Sequence, residues 1–217
     1  MKKLLIINLS PRQKGTSIVL AEMCKKYMED RGHNIELLHL YPNLNNPDNL
    51  CEAVKAADTL IFTGPSYINT YPADTFALLE ILSGQKEVLH GQDLYGMIQG
   101  GMPYVHTHES GLLSLKIFGK KCNVHYKGGF VMGMGAMLDG RPVAKLINGR
   151  KVIRQLNVFF ENIEKGKVSP NHVYQLAQLN FPGFVYRIMA KMANKAMDKE
   201  LKKRGIDVNQ PGSYMKK

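Results

Sequence analysis

The chain has 217 residues, of which 44% are hydrophobic and 22% charged, with 20 glycines and 10 prolines. These proportions are typical of a globular protein and exclude a disordered, collagen-like or membrane-spanning chain. The formal net charge is +11, and the segment from Pro182 onward holds nine basic and three acidic residues, which is +6 of that total.

Short apolar runs alternate along the chain with segments in which apolar residues recur at helical spacing. The predicted strands are residues 3–8, 35–40, 59–63, 93–99 and 125–132. The predicted helices are residues 17–31, 50–57, 73–82, 112–118, 152–163 and 184–204. Strands that are apolar on both faces and alternate with helices indicate a parallel sheet covered on both sides.

Two features of the sequence bear on the compartment. The first apolar run, residues 4–7, is shorter than the about 7 to 15 apolar residues of a secretory signal. The three cysteines, Cys24, Cys51 and Cys122, are odd in number and widely separated, so they indicate neither a disulfide framework nor a zinc or iron-sulfur site. We therefore expect a cytoplasmic protein.

The helical periodicity lapses after Lys165 and returns in the predicted helix 184–204. We expect a domain at residues 1–166 and a basic, methionine-rich extension at 167–217 that packs on the domain or on a partner subunit. A packed helix with a solvated basic face is favoured over a helix that binds nucleic acid or membrane. The methionine side chains on the apolar face of this helix would adapt well to a surface that it shares with the domain or with a partner subunit.

The loop after the first strand, residues 9–17, is the strongest candidate for chemistry. It combines hydroxyls, a glycine and two cations without an acid, directly before a helix. The first N–H groups of a helix lack internal partners, and together with the helix dipole they bind phosphate. The alternative is plain N-capping by Thr16 or Ser17, which accounts for one hydroxyl but not for the whole cluster.

The type of phosphate follows from the motifs that are missing. The Walker A pattern is absent, because Thr16 follows Gly15 where a lysine is needed. The dinucleotide pattern is absent from this loop, and the second strand ends without the acid that holds a ribose. A partial match at Gly133 and Gly135 follows the fifth strand. A terminal monophosphate fits better than a pyrophosphate.

Two further loops lie where a doubly wound sheet binds its ligands, outside the carboxyl ends of the strands. Residues 64–72 contain two tyrosines and few charges, which suits a wall against a flat ring, although an ordinary turn with half-buried tyrosines is the alternative. Gly100 and Gly101 allow a ligand to approach the backbone, although paired glycines commonly just form a turn.

Other catalytic or metal-binding patterns are weaker. His106 and His108 are two residues apart and converge only on a strand, whereas this segment leads into a helix, so we expect no metal site there and interpret these residues and Glu109 as surface polar groups or a substrate-side loop. The serine hydrolase motif Gly-x-Ser-x-Gly is absent.

The ordered set Ser10-Pro11-Arg12 with Gly15-Thr16-Ser17, then Gly64-Pro65-x-Tyr67, then Gly100-Gly101 resembles the flavodoxin-like NAD(P)H-dependent FMN reductases and their quinone-reductase relatives. The resemblance spans residues 3–165. It implies a flavodoxin-like α/β fold, with a doubly wound five-stranded parallel sheet of order 2-1-3-4-5 followed by a helical extension. It also implies noncovalently bound FMN and NADPH or NADH as the electron donor.

The resemblance assigns the cofactor-binding residues in three groups. The residues that would hold the FMN phosphate are Ser10, Arg12, Gly15, Thr16 and Ser17. The residues that would line the isoalloxazine are Pro65, Ser66, Tyr67 and Ile68, and those at its pyrimidine edge are Gly100 and Gly101. The flavin N5 would carry the chemistry, so no catalytic side chain is expected. The side chains expected near the ring or substrate are Tyr67, Tyr71, Tyr104 and His106.

The resemblance implies an oxidoreductase that passes electrons from a nicotinamide cofactor through FMN to a quinone, a flavin or a similar small acceptor. The alternative is a flavodoxin-type electron carrier that serves protein partners. A nucleic-acid-binding role rests only on the charge of the C-terminal segment, and we expect neither a nucleic-acid partner nor a membrane span. By resemblance, a homodimer is expected.

Overall fold

The computed structural model describes residues 2–85, 87–179 and 182–206. Five strands form one parallel sheet in the order β2-β1-β3-β4-β5. The strands are β1 (Lys3–Asn8), β2 (Asn34–His39), β3 (Thr59–Pro65), β4 (Asp93–Gln99) and β5 (His125–Met132). The predicted sheet and its strand order are confirmed.

Seven α-helices occur among the described residues. They are α1 (Thr16–Glu29), α2 (Asp48–Ala56), α3 (Ala73–Gly84), α4 (Glu109–Lys121), α5 (Gly149–Glu164), α6 (His172–Gln175) and α7 (Gly183–Lys203). Helix α1 packs against the sheet beside α5, and α3 packs beside α4. Strand β3 is buried along its whole length, which is expected for a central strand with helices on both faces.

The first, fourth and fifth strands have the predicted bounds, whereas β3 continues two residues past the predicted end. Pro65 pairs with Gln99 at the end of β4, and the Ser66 N–H donates to the Gln99 carbonyl at 2.7 Å. A proline is tolerated there because the next residue supplies the N–H that the ladder needs. The longer strand brings the loop after β3 to the end of β4.

The first compact unit of the chain is Met1–Leu179, which extends past the expected boundary at residue 166. The Ser169 N–H donates to the Lys127 carbonyl on β5 at 2.7 Å, and Val173, Tyr174 and Ala177 are buried. Residues 167–179 therefore continue the first unit, although their sequence has no helical periodicity long enough to reveal it.

The second unit is Asn180–Lys217. Its described part contains α7, which confirms the predicted helix, and no residue of α7 is buried. Lys216, Lys217 and Asp207, which enter the charge of this segment, lie outside the described residues. No helix in the described ranges combines the length and the apolar character that crossing a membrane requires.

Candidate functional site

An open cleft lies at the carboxyl ends of β1, β3 and β4. This is where the strand order reverses, which is the usual ligand position in a doubly wound sheet. The lining residues are Ser10, Arg12, Gly15, Thr16, Pro65, Ser66, Tyr67, Gln99, Gly100, Gly101, Ala136 and Asp139. Nine of the eleven residues assigned from the sequence therefore lie together, and Ser17 and Ile68 do not line the cleft.

Side chains at the end of β1 hold the first loop in place. Asn8 is fully buried, and its Oδ1 accepts the Ser10 N–H at 3.3 Å. The Ser10 hydroxyl oxygen in turn accepts the Arg12 N–H at 3.2 Å. These two bonds turn the chain sharply at the strand end and leave the Arg12 side chain 61% exposed.

The N-terminus of α1 opens onto this loop without a side-chain cap. The N-cap residue is Gly15, and the first helical bond runs from the Val19 N–H to the Gly15 carbonyl at 3.3 Å. The N–H groups of Thr16, Ser17 and Ile18 consequently have no acceptor within the described ranges. Plain N-capping by Thr16 or Ser17, the alternative interpretation of these hydroxyls, is wrong.

The loop after β3 forms a tight turn above the sheet. The Tyr67 N–H donates to the Thr70 carbonyl at 2.7 Å, and Ile68 and Asn69 between them both have positive φ, 49° and 70°. Two such residues in succession are the pattern of a type I′ turn, which is unfavourable for a β-branched residue. Ile68 is 97% exposed at the tip of this turn, whereas Tyr67 is 46% exposed and lines the cleft.

Tyr71 lies beneath the loop and not in the cleft. It is 1% exposed, and its hydroxyl donates to the Met97 carbonyl at 3.1 Å. Burial, followed by the nearby Tyr126 phenol, raises the pKa of Tyr71 well above its ordinary value. The ring occupies the space beside Gly64 and Gly111, where a Cβ would approach it to within about 3 Å. Tyr71 thus packs beneath the cleft. We expected it near the ring or substrate, but it does not line the cleft.

The loop after β4 lies directly on a buried histidine. A Cβ on Gly100 would lie 2.2 Å from His108 Cε1, so a residue with a side chain does not fit there without movement of the ring. His108 Nε2 lies 3.0 Å from the Met102 carbonyl, which fixes the other side of the loop. The expectation that His108 is a surface group is wrong, since it is 2% exposed. His106 is exposed and stacks on Tyr104, with ring centroids 5.7 Å apart.

Gln99 joins the first and third loops beneath the cleft. Its Nε2 donates to the Ser17 hydroxyl at 3.2 Å, which explains why the Ser17 side chain is buried and does not line the cleft. Sequence reasoning missed Gln99 as a lining residue, although a polar residue at the carboxyl end of an otherwise buried strand is the signal that could have revealed it.

A fourth segment, the loop after β5, completes the cleft and was not assigned from the sequence. The Thr16 hydroxyl donates to the Gly135 carbonyl at 2.8 Å, and Arg12 Nη2 lies 2.6 Å from Asp139 Oδ1. Ala136 and Asp139 both face the cleft. The partial glycine pattern at Gly133 and Gly135 therefore belongs to a loop that packs on the first one.

The residues weighed as metal ligands have other partners. Glu109 accepts the Tyr174 hydroxyl at 2.7 Å; burial and this bond raise the pKa of Tyr174. Among residues 2–85, 87–179 and 182–206, no group of three or more histidine, cysteine, aspartate or glutamate side chains could hold a metal ion.

The cleft offers two chemically distinct halves. One half presents the Arg12 guanidinium and the unbonded N–H group of Thr16 at the N-terminus of α1, where the Ser17 N–H also lacks a partner among the described residues. Such donors suit an anion such as a monophosphate. The other half presents Pro65 and Tyr67 beside the glycines of the third loop, and the Gly101 N–H has no bonding partner in the described part of the chain. These donors and surfaces fit a phosphorylated molecule with a flat polar ring, and FMN is such a molecule.

Residues 2–107 match the family of NADPH-dependent FMN reductases. Those residues contain the first three loops of the cleft but not the loop after β5. No curated protein is significantly similar to the chain.

Solved structures share the fold at low sequence identity. An NADH:FMN oxidoreductase in its apo form is 21% identical with a TM-score of 0.63, and the match covers 80% of this chain and 94% of that one. A flavone reductase is 12% identical with a TM-score of 0.62, covering 83% and 71%. An azoreductase from Bacillus anthracis is 12% identical with a TM-score of 0.52, covering 76% and 98%.

Proposed function

We propose that this chain, whose residues 2–107 match the NADPH-dependent FMN reductase family, passes electrons from a nicotinamide cofactor through bound FMN to a quinone, a flavin or a similar small acceptor. An FMN-dependent oxidoreductase with NAD(P)H as electron donor is what the family match supports directly. The acceptor class and the residues that hold FMN are the new parts of the proposal.

The first half of the cleft is proposed as the phosphate site. The free N–H groups of Thr16 and Ser17 would donate to the phosphate oxygens, and Arg12 would add a charge-assisted bond. The Ser10 hydroxyl holds the Arg12 backbone, so its role would be to shape the loop. Gly15 lines the cleft as the N-cap residue of α1, so it would border the same phosphate.

The second half is proposed as the ring site. Pro65, Ser66 and Tyr67 would form one wall, while Gly100 and Gly101 would border the polar edge of the ring. When bound, FMN supplies the two-electron redox chemistry. The Gly101 N–H would donate a hydrogen bond to that edge, and a donor fixed in this position favours the negative charge that reduction places on it. Ile68 lies outside this wall and is not included.

The observation that carries the proposal is the uncapped helix N-terminus beside Arg12, at one end of a cleft that three predicted loops share. The test is a titration of purified protein with FMN, followed by anaerobic mixing with NADPH and, separately, with NADH. We expect saturable FMN binding and loss of the oxidised flavin absorbance at about 450 nm on mixing with at least one donor. Reoxidation by a soluble quinone then tests the acceptor class.

A protein that binds FMN but whose flavin neither donor bleaches would instead support the electron carrier. Flavodoxins from Streptococcus pneumoniae and Bacillus cereus share the fold, at 13% identity each. Fold similarity at this level does not separate a carrier from a reductase, which makes direct reduction the deciding measurement. A protein that binds no FMN would contradict both.

We include a homodimer and a cytoplasmic location in the proposal. Helix α7 exposes large apolar side chains, among them Phe184 and Met192 at 64% and 68%, and such a surface suits a partner subunit. Light scattering on the full chain would report the oligomeric state. All three cysteines are free, which suits a reducing compartment.

A further inference from the structure

The Arg12 side chain, the one guanidinium that lines the cleft among the described residues, already has an anionic partner. Arg12 Nη2 lies 2.6 Å from Asp139 Oδ1, and both residues line the cleft. The two side chains are 61% and 64% exposed, so solvent screens the pair and keeps its strength modest. The pair therefore holds Arg12 without preventing it from changing partners.

The backbone holds Asp139 in this position. Asp139 has a φ of 48° and is followed by Gly140 at 81°, so the chain turns back just beyond the carboxylate. A Cβ on Gly140 would lie 3.4 Å from the Gly15 nitrogen, which shows how closely this turn approaches the first loop. The bond from Thr16 to the Gly135 carbonyl fixes the start of the same segment. Asp139 is thus built into the rim of the phosphate half.

A carboxylate in this place acts against a bound phosphate in two ways. It occupies the guanidinium that the phosphate would use, and it adds a negative charge near a group that itself carries about −1.5 to −2 charges at pH 7. The loop contributes only two cations, Arg12 and Lys14, and Asp139 offsets one of them. Phosphate-binding sites gain affinity from uncompensated cations, so this arrangement lowers affinity.

We propose that Asp139 competes with the FMN phosphate for Arg12 and thereby weakens FMN binding, so that the flavin exchanges with solution; this inference rests on the proposed function. Asp139 sets the affinity for the phosphate end of the cofactor and takes no part in electron transfer.

The test compares FMN with riboflavin, which has the same ring but no phosphate, in titrations with wild-type protein and Asp139→Asn. Asparagine accepts a positive φ as readily as aspartate, so the turn survives the change. We expect Asp139→Asn to lower the dissociation constant for FMN about three- to tenfold and to leave that for riboflavin unchanged. The gain should shrink at 1 M salt, where the Debye length is about 3 Å.

A matched control removes the same charge elsewhere. Asp30 forms an exposed ion pair with Lys26 at the far end of α1, and Asp30→Asn should leave FMN affinity unchanged. If Asp139 acts through Arg12, the Asp139→Asn change should have a smaller effect in an Arg12→Ala background, and the double-mutant cycle measures that coupling.

The outcomes separate the inference from the proposed function. Wild-type protein that binds FMN, with no tighter binding in Asp139→Asn, overturns the inference and leaves the proposed function standing. An equal gain for riboflavin also overturns it, because the effect would then not involve the phosphate. Wild-type protein that fails to bind FMN overturns the proposed function and the inference with it.

Discussion

The cleft has an outer rim and a supporting layer beneath it, and the two differ in how their polar groups are used. The rim comprises the side chains of Arg12, Tyr67 and Asp139 and the free N–H groups of Thr16 and Gly101. Several of its donors have no bonding partner in the described chain, and its one ion pair is exposed. Such groups contribute little to folding and remain available to a ligand.

The supporting layer comprises Gly64, Tyr71, Gly100, His108 and Gly111, and its two rings are buried. Two buried rings fill the space that the glycines leave, and both rings bond to backbone carbonyls. Because Gly100 has no Cβ, the His108 ring can pack against it, and a ligand in the cleft can also approach its backbone. We therefore expect substitutions in the supporting layer to change the free energy of unfolding, and substitutions in the rim to change the affinity for FMN.

The largest stability effect is expected at Gly100. In Gly100→Ala the new Cβ would lie 2.2 Å from the His108 ring, which is buried, and overpacking of this kind costs about 1–3 kcal/mol. Chemical denaturation of the variant measures it. Gly101→Ala is the matched control, because its Cβ would meet Ala136 at an ordinary 3.8 Å.

A second change decides whether the His108 contact is the cause. Gly100→Ala combined with His108→Ala should lose less stability than the sum of the two single changes, since the ring that obstructs the methyl group is gone. If the losses of stability in the two single variants add in the double variant, the strain lies elsewhere in the loop. The proposed difference between the supporting layer and the rim would then be contradicted.

At Arg12, which lies in the rim, we expect a change in FMN binding with little change in stability. Arg12→Ala should weaken FMN binding by about tenfold, since a charge-assisted bond to the phosphate is lost. The free energy of unfolding should stay within about 0.5 kcal/mol of wild type, because the side chain is exposed and its ion pair is screened. Affinity for riboflavin should not change. Unchanged FMN affinity would remove Arg12 from the phosphate site.

Tyr71→Phe tests the supporting layer more gently. It removes the bond from the buried hydroxyl to the Met97 carbonyl and should cost about 1 kcal/mol at neutral pH. Because burial raises the pKa of Tyr71 above 10.0 in the folded protein, this residue stabilises the fold below pH 10 and loses that contribution as the pH rises further. Chemical denaturation should therefore show that the difference in free energy of unfolding between wild type and Tyr71→Phe shrinks as the pH rises from 8 to 11.

The sequence contained enough to predict the sheet and most of the cleft, and the physical reason is locality. Strand and helix periodicity are properties of neighbouring residues, and the parallel topology then brings Ser10, Pro65 and Gly100 to one edge. Asp139 could not be found this way. Its place depends on a left-handed turn and on packing against a loop more than 120 residues earlier, and neither is visible in local pattern.

The buried state of His108 and the extent of the first unit were missed for the same reason. His108 is buried because Gly100, eight residues earlier in the same loop, leaves room for its ring. Residues 167–179 join the first unit through several contacts, among them the bridge from Ser169 to β5 and the bond from Gln178, which donates to the Val131 carbonyl at 2.8 Å. Side-chain packing in three dimensions decides both features, whereas hydrophobic periodicity reports only the secondary structure of neighbouring residues.

The smallest effect is expected at Lys14, which tests how far the rim extends. Lys14 is exposed in the first loop, so Lys14→Ala removes a solvated cation near the phosphate half and should weaken FMN binding only about twofold. The same change at Lys26, at the far end of α1, removes an equal charge and should have no effect. Titrations at 0.05 M and 0.5 M salt distinguish a long-range effect of the Lys14 charge from direct binding of the phosphate by Lys14. A purely long-range contribution disappears at the higher salt concentration. A loss as large as that of Arg12→Ala would show that Lys14 binds the phosphate directly and belongs to the rim.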